Sequence, residues 1–214
     1  MRIGLASDSC GNTALLVRAL DALDAAGADR IFFLGARFTD VDAAMAARAQ
    51  SAPSTGAPPP PAGEDEAFLR EVEGELRSRI ETAATRVGRI VRIASRSCRE
   101  RAPSAPGKLL EMVGGALCCL VHDKADLTRD DIANATFLFH GNADAPALVR
   151  FGPRYFVTPG HLRASAPADR PATWAVLEFE SERVELVVYG EDGRERERLR
   201  EEVVAAPGAR VKVR

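Results

Sequence analysis

Ile3-Gly4-Leu5-Ala6-Ser7-Asp8-Ser9-Cys10-Gly11-Asn12 is the stretch whose reading decides the fold. An apolar run ends abruptly at a carboxylate, a thiol and a glycine turn. A short apolar run bounded by turn residues reads as a buried strand, here Arg2 to Ala6. Downstream, Leu15, Leu16, Ala19, Leu20 and Leu23 recur at helical spacing, so Thr13 to Ala26 reads as a helix that Gly27 stops. Ala28-Asp29-Arg30 then leads into a second apolar strand, Ile31 to Leu34, which ends at Gly35. The order strand, helix, strand predicts a parallel pair with a right-handed crossover. Sheets of this kind bind ligands at the carboxyl ends of their strands. That rule places Asp8, Cys10 and Ala36 on one rim.

Composition sets limits on the partners. The chain has 214 residues, 46% of them hydrophobic, enough for a sizeable core. With 29 basic and 31 acidic residues the net charge is −2, so no global field favours nucleic acid or an anionic membrane surface. The beginning of the sequence lacks the basic flank and apolar run of a signal peptide, and no stretch approaches the ~20 apolar residues of a membrane span. The expected location is the cytoplasm. The four cysteines form no CxxC pair. Cys118 and Cys119 lie in an apolar run and read as packed strand residues. Cys10 and Cys98 lie in polar turn sequence.

Further along, Asp40 to Gln50 is alanine-rich and reads as helix. Residues 51–66 are proline-rich without periodicity and read as a disordered insertion. Residues 67–86 read as a helix with Phe68, Val72, Leu76 and Ile80 on one face, and Arg89 to Ala94 as a strand before a loop, 95–107. Leu109 to Val113 and Ala116 to Val121 form a hairpin around Gly114-Gly115. Thr128 to Ala135 is a short helix. Thr136 to Phe139 is a strand stopped by His140-Gly141-Asn142. Tyr155 to Thr158 precedes Pro159-Gly160, and Thr173 to Phe179 pairs with Val184 to Tyr189 across Ser181-Glu182. The expected organisation is a single domain over 1–189. Residues 190–214 form a charged tail or an edge strand, with Ala209 to Val213 the strand candidate.

The order of these turns resembles the calcineurin-like metallophosphoesterase superfamily, specifically the small bacterial phosphodiesterases of the YfcE type. Those chains open with a strand followed by SD-[ST]-HGN; this one has Ser7-Asp8-Ser9-Cys10-Gly11-Asn12. Their LGD is Leu34-Gly35-Ala36. Their RGN-[CH]-D aligns with Ala94-Ser95-Arg96-Ser97-Cys98, and their THGH with Val121-His122-Asp123-Lys124. Their YGHTH matches His140-Gly141-Asn142-Ala143-Asp144, and their NPGS turn matches Thr158-Pro159-Gly160-His161. The resemblance covers residues 1–40 and 87–189. It implies an α/β fold, a layered sandwich of two mixed β-sheets flanked by helices, with two divalent metals on the rim that polarise phosphate and generate hydroxide.

The ligand positions do not carry over intact. The first metal of the family would fall to Asp8, Cys10, Ala36 and Asp144. Asp8, Cys10 and Asp144 keep donor atoms, a set that suits a single zinc ion better than magnesium. The second metal would fall to Ala36, Arg96, His122 and Asn142, of which His122 alone is unchanged. Alanine has no ligand atom, so the bridging carboxylate is lost. Arg96 puts a fixed charge at a ligand position, and two unit charges ~4 Å apart at an effective dielectric near 20 repel by about 4 kcal/mol. The expectation is that Arg96 replaces the second metal, with Asp8 and Asp144 as its partners and no metal required.

These residues support two readings of function. The first is a degenerate, catalytically inactive member of this fold that binds a protein partner or an anionic ligand, with no cofactor. The second is a weak phosphoesterase for phosphate mono- or diesters, using one zinc on Asp8, Cys10 and Asp144 with His122 as acid or base. His140 reads as structural, and His161 as a solvated loop residue.

Overall fold

The computed structural model describes residues 1–37, 39–51, 89–93, 95, 106–164, 169–180 and 183–203. The proline-rich stretch beyond Ser51, the helix expected over 67–86, most of the loop after it with Arg96 and Cys98, and the strand candidate Ala209 to Val213 lie outside them.

The opening unit forms as the sequence dictates. β1 (Arg2–Ala6) leads into α1 (Thr13–Ala25), and β2 (Arg30–Phe33) returns parallel to β1, Leu5 opposite Phe32. The Asn12 side chain caps α1 by accepting from the Leu15 amide. This satisfies one of the helix's orphan N–H groups and is a contribution of about 1 kcal/mol. The apolar stripe of α1 (Leu15, Leu16, Ala19, Leu20, Leu23) is buried and packs, with Val41 and Ala44 of α2 (Thr39–Ser51), on the outer face of the first sheet.

That sheet has six strands in the order β11-β10-β9-β1-β2-β3, where β3 is Ile90–Arg92, β9 Thr173–Phe179, β10 Arg183–Gly190 and β11 Glu195–Glu202. The second has five, β4-β5-β6-β8-β7: Lys108–Val113, Ala116–Val121, Phe137–His140, Arg154–Pro159 and Pro146–Phe151. Each mixes parallel and antiparallel pairs. The β4–β5 hairpin turns on Gly114 and Gly115, both at positive φ (58° and 82°), which a two-residue turn of this hand demands. The two sheets face each other over Leu5, Phe32, Phe137, Phe139, Tyr155 and Leu186, among others. Burying such side chains stabilises by roughly 2 kcal/mol each. The short helix α3 (Arg129–Asn134), with a Thr128–Asp131 capping box, covers Cys119 and Leu138 on the outside of the second sheet.

The structure adds one strand to the sequence expectation and, for the segment after Gly190, takes the edge strand of its two alternatives. β7 has no counterpart in that expectation, because its run begins with proline and its outward residues are apolar, so it shows no clean alternation. The segment after Gly190 forms β11 although it is almost wholly charged. Glu185 of β10 explains this, because its buried carboxylate is held by Arg183, Arg198 and Arg200. Cross-strand charge pairs replace an apolar face there.

Candidate functional site

Parallel strands bring their carboxyl ends to one rim, and here both sheets do so together. β1 delivers Ser7 and Asp8, β2 delivers Gly35 and Ala36, β5 delivers His122, β6 delivers Gly141, and β8 leads to His161. Gly141 marks the closest approach: a Cβ built on it would lie 2.1 Å from the Leu34 carbonyl oxygen and 2.5 Å from Ser7 Oγ. Only glycine fits where the second sheet's rim touches the first.

Asp8 is buried at the centre of this junction. Its Oδ1 accepts a hydrogen bond from the Ala36 amide at 2.9 Å and lies 3.3 Å from Nε2 of the buried His122, whose Nδ1 has no hydrogen-bond partner. Beside it, Asp40 of α2 accepts from Ser9 Oγ (2.6 Å) and from the Gly11 amide (2.8 Å). Asn12 Nδ2 donates to the Leu162 carbonyl at 3.1 Å, and the Leu162 amide to the Asp8 carbonyl at 3.0 Å. The first motif is thus held in place by the chain itself.

Cys10 is exposed and sits at φ 48°, a left-handed conformation uncommon for a side-chain-bearing residue. Partial burial, then the negative charge of Asp8, push its thiol up, against the opposing pull of Arg163 and Arg37. It is therefore a thiol, not a thiolate, at neutral pH.

Asp144 faces solvent and is clamped by Arg163 (2.6 Å) and Arg170. The Arg163 hydrogen bond is the chief reason its carboxyl sits below the usual range. Asn142, at φ 46°, donates its side-chain amide to Asp123 at 2.6 Å. The Asp123 carboxyl is held low first by the Ala125 amide and then by this bond. His140 closes β6 and is pushed toward the neutral form by burial.

His161 differs from expectation. It is 1% exposed, not solvated. Its Nδ1 accepts from the Arg163 amide at 3.2 Å, and Nε2 is buried without a well-formed hydrogen bond. Burial lowers its pKa, and Arg163 adds to that.

The structure thus brings Asp8, Ala36 and His122 together and turns Asp144 and Asn142 to other partners. The donors do not fit the two-metal centre that the resemblance implies. Ala36 offers only its amide, Asp144 answers two guanidiniums and Asn142 answers Asp123. Among the described residues no group of three or more His, Cys, Asp and Glu side chains is arranged to hold a metal ion. Arg96 lies outside them. The guanidiniums that do reach Asp144, from Arg163 and Arg170, are not legible in the sequence: nothing local ties them to a carboxylate some twenty residues away. A weak signal lies in the basic residues that come after the Pro159-Gly160 turn.

No protein-family model matches the chain, and no curated sequence matches it. Solved structures do. A predicted phosphoesterase from Streptococcus pneumoniae superposes with a TM-score of 0.60 at 13% identity, over 94% of this chain and 97% of that one. The phosphoesterase YfcE from E. coli gives 0.52 at 17% identity, over 93% and 98%. Vps29 from Entamoeba histolytica, solved with zinc, gives 0.55 at 13% identity, over 95% and 100%. At these identities the likeness carries the fold alone, the one that these phosphoesterases and Vps29 share.

Proposed function

We propose that this chain is a non-catalytic module on a phosphoesterase fold, whose rim binds an anionic ligand or an acidic face of a protein partner. One observation carries the reading: Asp8, the carboxylate that opens the first motif, is already engaged by the Ala36 amide at 2.9 Å and by His122 at 3.3 Å. A carboxylate so occupied serves the fold. The amide that holds it belongs to the residue standing where the resemblance implies the bridging aspartate. Arg37, Arg163 and Arg170 lie around the exposed end of the rim and give it positive character that suits an anion.

A second reading has one observation in its favour. His122 Nδ1 is buried and unpartnered while Nε2 lies 3.3 Å from Asp8 Oδ1, so the ring has a nitrogen free to ligate an ion. It fits a weak mononuclear zinc phosphoesterase, and the Entamoeba Vps29 of like fold, solved with zinc, supports that reading. One experiment separates the two. Protein purified without a tag after growth with zinc and manganese is assayed for metal and for hydrolysis of bis(p-nitrophenyl) phosphate. The binding-module reading expects substoichiometric metal and no turnover. About one equivalent of zinc, lost in Asp8→Ala together with measurable turnover, replaces it with the zinc enzyme.

A further inference from the structure

Three guanidiniums stand at the exposed end of the rim, and they are not equally answered. Arg163 and Arg170 converge on Asp144, and each takes a different oxygen. Arg163 Nη2 lies 2.6 Å from Oδ1, and Arg170 Nη1 meets Oδ2. Two arginines that divide the oxygens of one planar carboxylate make a seat for a carboxylate. Asp144 fills that seat from within the chain.

Arg37 is the unanswered one. It is exposed, and among the described residues no carboxylate pairs with it. Its Nη1 lies 3.9 Å from where a Cβ on Gly11 would stand, so it borders the first loop. Cys10, exposed in the same loop, feels the charge of both Arg163 and Arg37, so the answered and the unanswered arginines share one stretch of surface. The other carboxylates close by are buried and face inward, Asp8 to the Ala36 amide and His122, Asp40 to Ser9 and the Gly11 amide. An exposed ion pair contributes little alone, because water and salt screen it. A small anion at the seat must also displace Asp144, a competitor tethered beside it at high effective concentration. A ligand prevails when it brings a second charge that the chain leaves unmatched, and Arg37 is the place for that charge.

We propose that the rim takes an acidic segment of a partner protein, one carboxylate of which displaces Asp144 from Arg163 and Arg170 while a second pairs with Arg37. This rests on the binding-module reading above and names its ligand. Asp144 acts as an internal stand-in: it keeps small oxyanions and single carboxylates from the seat and yields to clustered acidic side chains.

The test is fluorescence anisotropy of a labelled peptide of alternating Asp and Glu on the full chain, beside its Asn and Gln counterpart, with inorganic phosphate as competitor. The parent is expected to bind the acidic peptide and not the amide one, and to release it at high salt. Asp144→Ala should tighten the peptide by about fivefold and let phosphate compete. Arg37→Gln should weaken the peptide by about fivefold. Added to Asp144→Ala, it should leave phosphate competition unchanged. Arg163→Gln/Arg170→Gln should abolish both. All are surface changes, and an unchanged urea midpoint checks that each variant is folded. Equal peptide affinity in the parent and Arg37→Gln overturns the proposal, as does phosphate displacing the peptide from the parent as readily as from Asp144→Ala. Either result leaves an anion-binding rim standing. Peptide binding that ignores the loss of Arg163 and Arg170, unchanged or weaker binding in Asp144→Ala, or no binding in any chain also overturns it. Bound zinc with turnover, measured separately as above, overturns the binding-module reading itself.

Discussion

The loop after β1 and the loop after β6 meet at the same rim, yet they are built to opposite plans. In the first, the polar groups face inward and most side-chain anchors are long-range: Asp8 to Ala36, Ser9 and Gly11 to Asp40, Asn12 to Leu162. In the second, Gly141 is wedged against Leu34 and Ser7, but Asn142 and Asp144 turn outward to Asp123 and to two arginines. The family resemblance treats both loops as ligand donors. The geometry gives the first the task of holding the sandwich together and leaves the second to surface electrostatics. The same residue types at the same rim thus differ in energetic weight according to burial.

The largest effect should come from the point where the two loops touch. Gly141→Ala places a methyl 2.1 Å from a carbonyl oxygen and 2.5 Å from Ser7 Oγ, and one of these contacts is backbone that cannot swing away. Forced overpacking of this kind costs about 3 kcal/mol or more. Urea unfolding should show a large drop in midpoint, or no folded protein. A midpoint within error of the parent would mean that the two rims part at little cost.

Next comes Asp8. Asp8→Ala removes the acceptor of the Ala36 amide and the partner of a buried histidine at once, for a loss of about 2 kcal/mol. Asp8→Asn keeps an oxygen for the amide and removes only the charge beside His122, so it should retain a good part of the stability. If Asn and Ala variants fall equally, the charge is what matters in this loop and the amide bond contributes little.

Much of this comparison is legible in the sequence. The periodicity of Ile3–Leu34 and the glycines at 114–115 dictate the strand-helix-strand unit and the hairpin, because local sequence sets local geometry there. Topology alone places Asp8 and Ala36 on one rim. The features that escape a sequence reading depend on distant partners. β11 is a strand because Glu185 lies beneath its arginines, and β7 because β8 offers an edge. His161 is buried because Asp8, Leu162 and Thr173 close around its backbone, where a loop position suggests solvent. The clamp on Asp144 joins side chains that share no periodic pattern.

His161 gives a smaller and pH-dependent break in the comparison. It sits under the first loop in the neutral form, its pKa lowered by burial and by Arg163. The unfolded chain therefore takes up a proton near pH ~6.5 while the folded chain does not. Stability is full above that value and declines as pH falls below it, since the unfolded state then binds more protons. His161→Gln should flatten the decline between about pH 7 and pH 5.5 in urea titrations. His140, also lowered by burial, leaves a residual slope. An unchanged slope in the variant would assign the whole decline to other groups.

The smallest effect belongs to Asp144, and its smallness is the sharpest statement about the second loop. Two arginines contact it, and by contact distance alone it looks better held than Asp8. But the carboxylate and both guanidiniums reach water, and exposed ion pairs lose most of their Coulomb energy to solvent and salt. Asp144→Ala should leave the urea midpoint where it was. What should change is the rim's charge: Arg163 and Arg170, released from their shared anion, should bind inorganic phosphate or an acidic partner more tightly, with a steep dependence on salt. Weaker anion binding on removal of Asp144 would reverse the assignment. The carboxylate would then be positioning the two arginines for the ligand, and the loop after β6 would be as organised for its task as the loop after β1 is for the fold.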